Sequence, residues 1–299
     1  MILSQVMKTT WVIENFVKEP SYKKLTDAAK ELGYSVIELN SDFSKDILRK
    51  KLVESKVIVN VSGGQYGETC VVANGSIKMC KLISETLNSV GIHPLLLPSF
   101  EKYKCTAYYS HFGPYLFNDK YCLMTLKELV RQKYDVWGHY GKECLIFIRP
   151  DSGEKLFQAG LLDIIDLAQF HESNKDCEHE LVLVSTPKTI KWEGRIVVSR
   201  KKEIIASSTY RFQGNVALIP SIPVEATKFC KELLKNTNYV PDSVFCFDIC
   251  QDSDNEYWLL ELTSFSSAGL YACNMNEIVS KVSAIAEEDY SQRIKKITG

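Results

Sequence analysis

Long hydrophobic runs are missing from this 299-residue sequence. A helix that spans a membrane needs about 20 consecutive apolar residues, and no stretch here approaches that length. The opening residues, MILSQVMKTT, are also too short in apolar length for the core of a signal peptide. We therefore expect a protein with no membrane partner.

Residue spacings typical of common metal and nucleophile sites are missing as well. The ten cysteines include no C-x-x-C pair, and the five histidines show no ligand spacing. No G-x-S-x-G motif or Cys/His constellation stands out. Several cysteines fall within apolar runs, as free buried thiols do. These features predict a protein of a reducing compartment, the cytoplasm.

A strong charge of one sign is the third absence. The formal net charge is −1, so no global basic field indicates a nucleic acid partner. The chain is 45% hydrophobic and 24% charged, which is ordinary for a globular protein. Its length allows two or three small domains or one large α/β body.

Strand and helix patterns alternate in the first hundred residues. The apolar runs WVIEN, SVIEL and KVIVNV are separated by amphipathic stretches at Tyr22–Leu32 and Ser44–Ser55. Gly33 is placed to cap the first of these helices. Strands that alternate with helices predict a small parallel sheet.

A glycine-rich loop, SGGQYG, follows the third predicted strand at Ser62–Gly67. Ligands favour the carboxyl ends of parallel strands, so this loop could contact a phosphate or substrate. It is not a P-loop, because no G-K-[ST] follows, and it could equally be a tight turn. A helix at Gly75–Val90 and a strand-like run, HPLLLP, come next.

The pattern changes after an aromatic, irregular connection at Phe100–Asn118. A predicted helix at Met124–Lys133 leads to the strand ECLIFIRP, and Ile190–Ser199 forms a hairpin with Glu203–Arg211. Three further helices are predicted: Leu162–Phe170, Val224–Leu234 and Asn276–Ile294. The second part of the chain therefore has an α+β pattern.

Two acids lie inside the apolar runs of a predicted hairpin at Phe245–Phe265. A turn centred near Asp254 sets Asp248 opposite Glu261 on one face. Facing carboxylates destabilise a sheet unless a positive charge lies between them, and Mg²⁺ would meet that need. The alternatives are a register shifted by one residue, or a separate Lys or Arg for each acid.

Basic residues occur in two other places. In FIRPDSGEKLF, Arg149 and Lys155 flank a short Ser/Gly loop and could clamp a polyphosphate, or they could pair with nearby acids. In the first hairpin, a turn at RKK brings Arg195 and Arg211 close together, and two guanidinium groups repel unless they share an anion. The cations and the acid pair together favour one ligand, a phosphate chain that carries a metal.

These segments, taken in order, resemble the ATP-grasp superfamily. The matching run is F-I-R-P-D-S-G-x-K-x-F, W-E-x-R, S-x-x-Y-R, F-D and E-L-x-S-F-S-S-A-G-L-Y, over about residues 117 to 275. The sequence is most similar to a clade marked by recurring arginines and a lysine, found among bacterial and phage proteins. The resemblance implies a Rossmann-like pre-ATP-grasp α/β domain (1–99) and a two-subdomain ATP-grasp domain (100–299).

The resemblance also implies a role for each matching residue. Arg149 and Lys155 would contact the ATP phosphates, and the backbone of Leu183 and Val184 would bind adenine. Glu193 would lie near the ribose or the hinge between the two subdomains.

Catalytic and metal-binding roles follow in the same way. Arg195 and Arg211 would face the γ-phosphate and the substrate carboxylate, with Lys155 as a third catalytic cation. Asp248 and Glu261 match the Mg²⁺ ligands. The family pattern E-x-N carries Thr263 in place of asparagine, so Thr263 or Ser264 would supply the third oxygen, or metal binding is weaker.

The activity that the resemblance implies is that of an ATP-dependent carboxylate–amine ligase. ATP and Mg²⁺ would be its cofactors, and an acylphosphate its intermediate. Its partners would be a small-molecule or peptide carboxylate and an amine acceptor. Two alternatives remain: a phosphotransferase that acts on a hydroxyl, and a degenerate nucleotide sensor, which the Thr263 substitution favours.

Overall fold

The computed structural model describes residues 9–16, 20–61, 64–66, 70–88 and 99–298. Its first elements are β1 (Thr10–Asn15), α1 (Pro20–Glu31), β2 (Ser35–Asn40), α2 (Lys45–Glu54), β3 (Val59–Val61), β4 (Gly64–Tyr66), β5 (Val71–Asn74) and α3 (Ile77–Asn88). Gly33 follows α1 at φ +78°, in the left-handed region that a glycine cap favours. The Ser44 hydroxyl caps α2 by accepting from the Ile47 N–H at 3.3 Å.

A three-stranded parallel sheet, in the order β2-β1-β5, is the centre of this part. The prediction that KVIVNV supplies the third strand is wrong, because β3 pairs antiparallel with β4 instead. Every residue of β5 is buried, so its run VVAN fits the centre of the fold better than the short β3 does. The predicted run HPLLLP, together with Ser62, Gly63 and Gly67 of the glycine-rich loop, lies outside the described residues.

A four-stranded antiparallel sheet follows. Its elements are α4 (Cys105–Phe112), β6 (Tyr121–Thr125), α5 (Leu126–Arg131), α6 (Lys133–Tyr140), β7 (Leu145–Pro150), β8 (Gly160–Asp163), α7 (Leu167–Ser173) and β9 (Leu181–Ser185), and the strand order is β6-β9-β7-β8.

Three predictions for this region need correction. The connection at Phe100–Asn118 is largely helical, because its aromatic residues pack into a core; Tyr108 and Phe112 of α4 are fully buried. The predicted helix at Met124–Lys133 starts inside β6, and the one at Leu162–Phe170 starts inside β8. Short apolar runs fit either structure, and here strand pairing decides.

A five-stranded antiparallel sheet completes the chain. Its elements are β10 (Ile190–Ser199), β11 (Ile204–Phe212), β12 (Asn215–Ile219), α8 (Val224–Asn236), β13 (Val244–Asp252), β14 (Tyr257–Ser264) and α9 (Met275–Thr298), and the strand order is β12-β11-β10-β13-β14. Both predicted hairpins and the predicted helices at Val224–Leu234 and Asn276–Ile294 are confirmed. The strand β12 was not predicted.

One core joins the two ends of the chain. Ile278 and Val282 of α9 pack in the same cluster as Trp11 of β1 and Leu25 of α1. The Trp11 indole N–H donates to the Ser283 hydroxyl of α9 at 3.0 Å. The first sheet is thus held against the last helix, and the predicted boundary between residues 99 and 100 stays a prediction. Among the described residues, no helix is long and apolar enough to cross a membrane.

Candidate functional site

The acid pair lies in the middle of the last hairpin. The predicted pairing is confirmed, because Asp248 on β13 is directly opposite Glu261 on β14. The Asp248 side chain is 3% exposed and the Glu261 side chain 18%. Two carboxylates this deep need positive neighbours, since burying an unpaired charge is costly.

Glu261 has two cations of its own. Arg149, at the end of β7, places Nη2 at 3.2 Å from Oε2, and Lys155 places Nζ at 3.2 Å from Oε1. The Thr263 hydroxyl donates to Oε1, also at 3.2 Å. Burial favours the neutral acid, but the charges of Lys155 and Arg149 outweigh it and hold the pKa of Glu261 below its usual range.

Asp248 is bound by Arg195 of β10 in a two-pronged ion pair. Nε donates to Oδ1 at 2.7 Å and Nη2 to Oδ2 at 2.6 Å, while Nη1 donates to the Gly269 carbonyl at 2.7 Å. Burial raises the pKa of Asp248, and the Arg195 charge opposes that shift. The alternative that each acid has its own Lys or Arg therefore describes this structure.

Arg195 and Arg211 are not neighbours across the first hairpin, so that prediction is wrong. Arg195 pairs with Ser208, and Arg211 pairs with Glu193. The reason is irregular pairing at Glu193/Gly194 and at Val197/Val198, which shifts the register in ways that a count from the turn does not include.

Arg211 faces an acid rather than another arginine. Its Nε lies 3.5 Å from Oε1 of Glu193, and its side chain is half exposed. The Tyr210 hydroxyl donates to Oε2 of Glu193 at 2.8 Å. Burial raises the pKa of Glu193, against the opposing effects of Tyr210 and Arg211.

A cavity of about 370 Å³ opens beside Glu261. It is lined by Arg149, Pro150, Ser152, Lys155, Phe157, Gln158, Ala159 and Glu261. Lys155 sits at φ +53°, and the turn before it presses Gly153 against the chain at Phe100, where an added Cβ would lie 2.5 Å from the carbonyl oxygen. The predicted phosphate clamp thus lines a cavity whose charged residues are two cations and one acid.

Leu183 and Val184 lie inside the sheet rather than at its edge. β9 is flanked by β6 and β7, and both residues are paired on both sides. The ladders therefore engage their backbone groups. The chain leaves the sheet after Ser185, and residues 186–189 join it to β10.

Two tyrosines complete the site and were not predicted as site residues. The rings of Tyr210 and Tyr271 stack with centroids 4.7 Å apart, and the Arg195 guanidinium carbon lies 4.9 Å from the centre of the Tyr271 ring. Both tyrosines belong to the motifs S-x-x-Y-R and A-G-L-Y, so a signal was present in the sequence. Asp151 instead accepts from the Thr106 N–H at 2.7 Å, at the start of α4.

The site chemistry has a family counterpart. Residues 123–280, slightly more than half of the chain, match the model of a family described as an ATP-grasp domain, the second family of its clade. The chain belongs to this ATP-grasp family. The match includes all of the residues predicted for the site, from Arg149 to Thr263.

Solved structures share the ATP-grasp fold at low sequence identity. The chain resembles a D-alanyl-alanine synthetase A from Vibrio cholerae, with 13% identity, a TM-score of 0.58, and coverage of 93% of this chain and 94% of the other. A D-alanine–D-alanine ligase from Bacillus anthracis gives 13%, 0.56, 98% and 100%. The ATP-grasp ligase PsnB, complexed with its minimal precursor, gives 13%, 0.55, 93% and 99%. No curated protein matches the sequence.

Proposed function

We propose that this ATP-grasp protein is an ATP-dependent carboxylate–amine ligase. The observation that carries the proposal is the charge arrangement around the Glu261 cavity. Arg149, Lys155 and Arg195 supply three positive charges against the two negative charges of Asp248 and Glu261. A surplus of buried and half-buried cations favours a polyphosphate, and the ATP-grasp family supports ATP as its source.

The acids suit the metal that a nucleotide carries. Two carboxylates and the Thr263 hydroxyl are oxygen donors, the type that Mg²⁺ prefers, although the described residues form no cluster of three or more His, Cys, Asp or Glu side chains for a metal. Asp248, Glu261 and Thr263 would hold the ion, which would neutralise phosphate charge. The ligase PsnB has been solved with Mg and ADP.

The cations divide the remaining work. Arg149 and Lys155 bind the phosphates, and Arg195 keeps Asp248 ionised and in place beside the γ-phosphate. Arg211, which is half exposed, binds the substrate carboxylate. Adenine recognition falls to the backbone of the hinge, where Leu183 and Val184 lead into residues 186–189, and Glu193 lies nearest the ribose side.

The proposed reaction proceeds in two displacements. An oxygen of the substrate carboxylate bonds to the γ-phosphorus while the bond to the bridging oxygen breaks, so ADP leaves and an acylphosphate forms. The amine nitrogen then bonds to the acyl carbon, phosphate leaves, and the amine gives up a proton. Positioning and charge neutralisation carry both steps, and no side-chain nucleophile is needed.

Glu261→Gln tests the proposal. The variant keeps the shape of the side chain but removes the charge, so we expect ADP formation to fall at least 100-fold, while Glu256→Gln, an exposed acid on the same hairpin, leaves it unchanged. Protein, Mg²⁺–ATP and a cell extract are incubated, and new species are sought by mass spectrometry together with ADP and free phosphate.

The products distinguish the candidate functions. A species equal to two extract components minus water, with matching ADP and phosphate, supports ligation. A phosphorylated component without free phosphate would identify a phosphotransferase instead. ATP binding with no ADP formation above the Glu261→Gln level would favour the nucleotide sensor and overturn the ligase assignment.

A further inference from the structure

β12 is a sheet edge without the usual protection. Among the described residues it pairs only with β11, and it ends the five-stranded sheet. Val216 is 76% exposed, Leu218 50% and Ile219 49%. The segment 212–224 contains no charged residue. Proteins normally guard such an edge with charges or a covering segment, because its outward backbone groups can pair with another strand.

An apolar cavity of about 340 Å³ lies next to this edge. Its lining is Trp192, Thr209, Phe212, Ile219, Ser221, Ile222 and Pro223. The Trp192 indole N–H already donates to the Thr209 hydroxyl at 3.0 Å, so the polar atom of the ring is satisfied. What the cavity offers is an apolar surface of the size that takes one large side chain. An open edge beside such a cavity is the arrangement by which sheets bind extended peptides.

The edge also leads directly to the reaction site. Val216 is the cross-strand partner of Arg211, whose neighbour across β10 is Glu193. A strand added to β12 would therefore pass within one strand spacing of the half-exposed Arg211 guanidinium. That cation can receive a carboxylate carried by the added strand.

We propose that β12 binds an extended, uncharged apolar peptide as an added strand, with one side chain in the Trp192 cavity and its carboxylate at Arg211. The peptide is then the carboxylate substrate of the ligase, so this inference rests on the proposed function. A second copy of the chain fits less well, since its segment 212–224 carries no acid to place opposite Arg211.

The test uses a random library of seven-residue peptides attached through their N-termini, which leaves the C-terminal carboxylates free. Wild-type protein, Leu218→Glu and Leu161→Glu are screened in parallel. Leu161 lies on β8, another edge strand, and is 59% exposed, so it controls for adding a charge to an exposed edge. Amide hydrogen exchange over residues 213–219 then reports whether bound peptides protect β12.

We expect the wild type and Leu161→Glu to select the same uncharged peptides, rich in β-branched or aromatic residues. Leu218→Glu should weaken their binding at least tenfold, and converting the carboxylate to an amide should weaken it at least fivefold. Peptide binding should slow exchange at residues 213–219.

Three results would overturn the inference: no enrichment with the wild type, binding that Leu218→Glu leaves unchanged, or a dimer by sedimentation that Leu218→Glu dissociates. Mg²⁺–ATP binding is measured in the same preparations. If ATP binds but peptides do not, this inference fails alone. If peptides protect β12 but ATP does not bind, the proposed ligase function fails and the docking edge stands.

Discussion

At the scale of single residues, the site is a set of buried charges that neutralise one another. Arg195 has contacts on every side: two bonds to Asp248, one to the Gly269 carbonyl, and the ring of Tyr271 against its face. Such a residue positions its neighbours. It joins the acid hairpin to the loop that follows β14, and therefore its loss should be felt first in stability.

Replacing Arg195 by Met should lower the free energy of unfolding by about 3–5 kcal/mol, because Asp248 would stay buried without a cation. The measurement is urea unfolding at pH 7. Lys201→Met, which removes an exposed ion pair with Glu288, should change stability by less than about 1 kcal/mol.

A second substitution separates lost charge pairing from lost packing. Asp248→Leu in the Arg195→Met background removes the unpaired carboxylate, so the double variant should regain much of the lost stability. If both variants were equally unstable, packing by the arginine rather than charge would explain the effect.

At the scale of elements, the hairpin of β13 and β14 could be predicted and the hairpin of β10 and β11 could not. Both turns are visible as polar strings between apolar runs. A count from the turn is correct for Asp248 and Glu261 because the irregularity in that hairpin, at Asp248/Ile249, lies on the turn side and does not prevent their pairing. In the first hairpin the irregular pairing displaces Arg211 onto Glu193.

The turn that carries Lys155 should be sensitive to one added methyl group. In Gly153→Ala the new Cβ would lie 2.5 Å from the Phe100 carbonyl oxygen and 2.8 Å from Cβ of Tyr103, so backbone must move. We expect a loss of about 1–3 kcal/mol of stability and weaker Mg²⁺–ATP binding, measured by calorimetry. Gly160→Ala, which meets no atom within 4 Å, should change neither; equal effects would show that the turn is not tightly packed.

A buried carboxylate ties the chain at residue 103 to the start of β13. The Tyr103 hydroxyl donates to Oδ2 of Asp242 at 2.7 Å, and Lys102 lies 3.8 Å from Oδ1. Burial raises the pKa of Asp242 to about 6, against the opposing effects of Tyr103 and Lys102. The folded chain therefore holds a proton that the unfolded chain releases near pH 4.

Between about pH 4 and pH 6 the folded state binds more protons, so the contribution of Asp242 to stability falls as pH rises through this window. Asp242→Asn removes the titration. The stability of the wild type relative to this variant should drop by an amount on the order of 2 kcal/mol between pH 4 and pH 7, measured by urea unfolding. Parallel pH profiles for the two proteins would contradict the assignment.

At the scale of the whole molecule, α9 connects the last sheet to the first. Ile278 is fully buried in the cluster that contains Trp11, so Ile278→Ala should cost about 2–5 kcal/mol. Because the cavity borders both ends of the chain, hydrogen exchange should speed up in β1 and α9 together. Ile165→Ala, at a residue that is 81% exposed, is the control and should leave exchange unchanged. Faster exchange in α9 alone would mean that the two ends unfold independently.

The sequence alone determined the features that depend on local pattern. Apolar periodicity located most helices and strands, and the ordered motifs between Phe147 and Tyr271 led to the ATP-grasp family and to the acid pair. These succeed because turn residues and side-chain alternation act over a few positions.

Only the tertiary structure decided which charges meet. Arg149 and Lys155 contact Glu261 across more than a hundred residues, and Arg195 reaches Asp248 because β10 and β13 are adjacent in the sheet. Strand order, irregular pairing and the open edge at β12 arise from long-range pairing and from competition for burial. No local pattern encodes them, because the partners that settle them are distant in the chain.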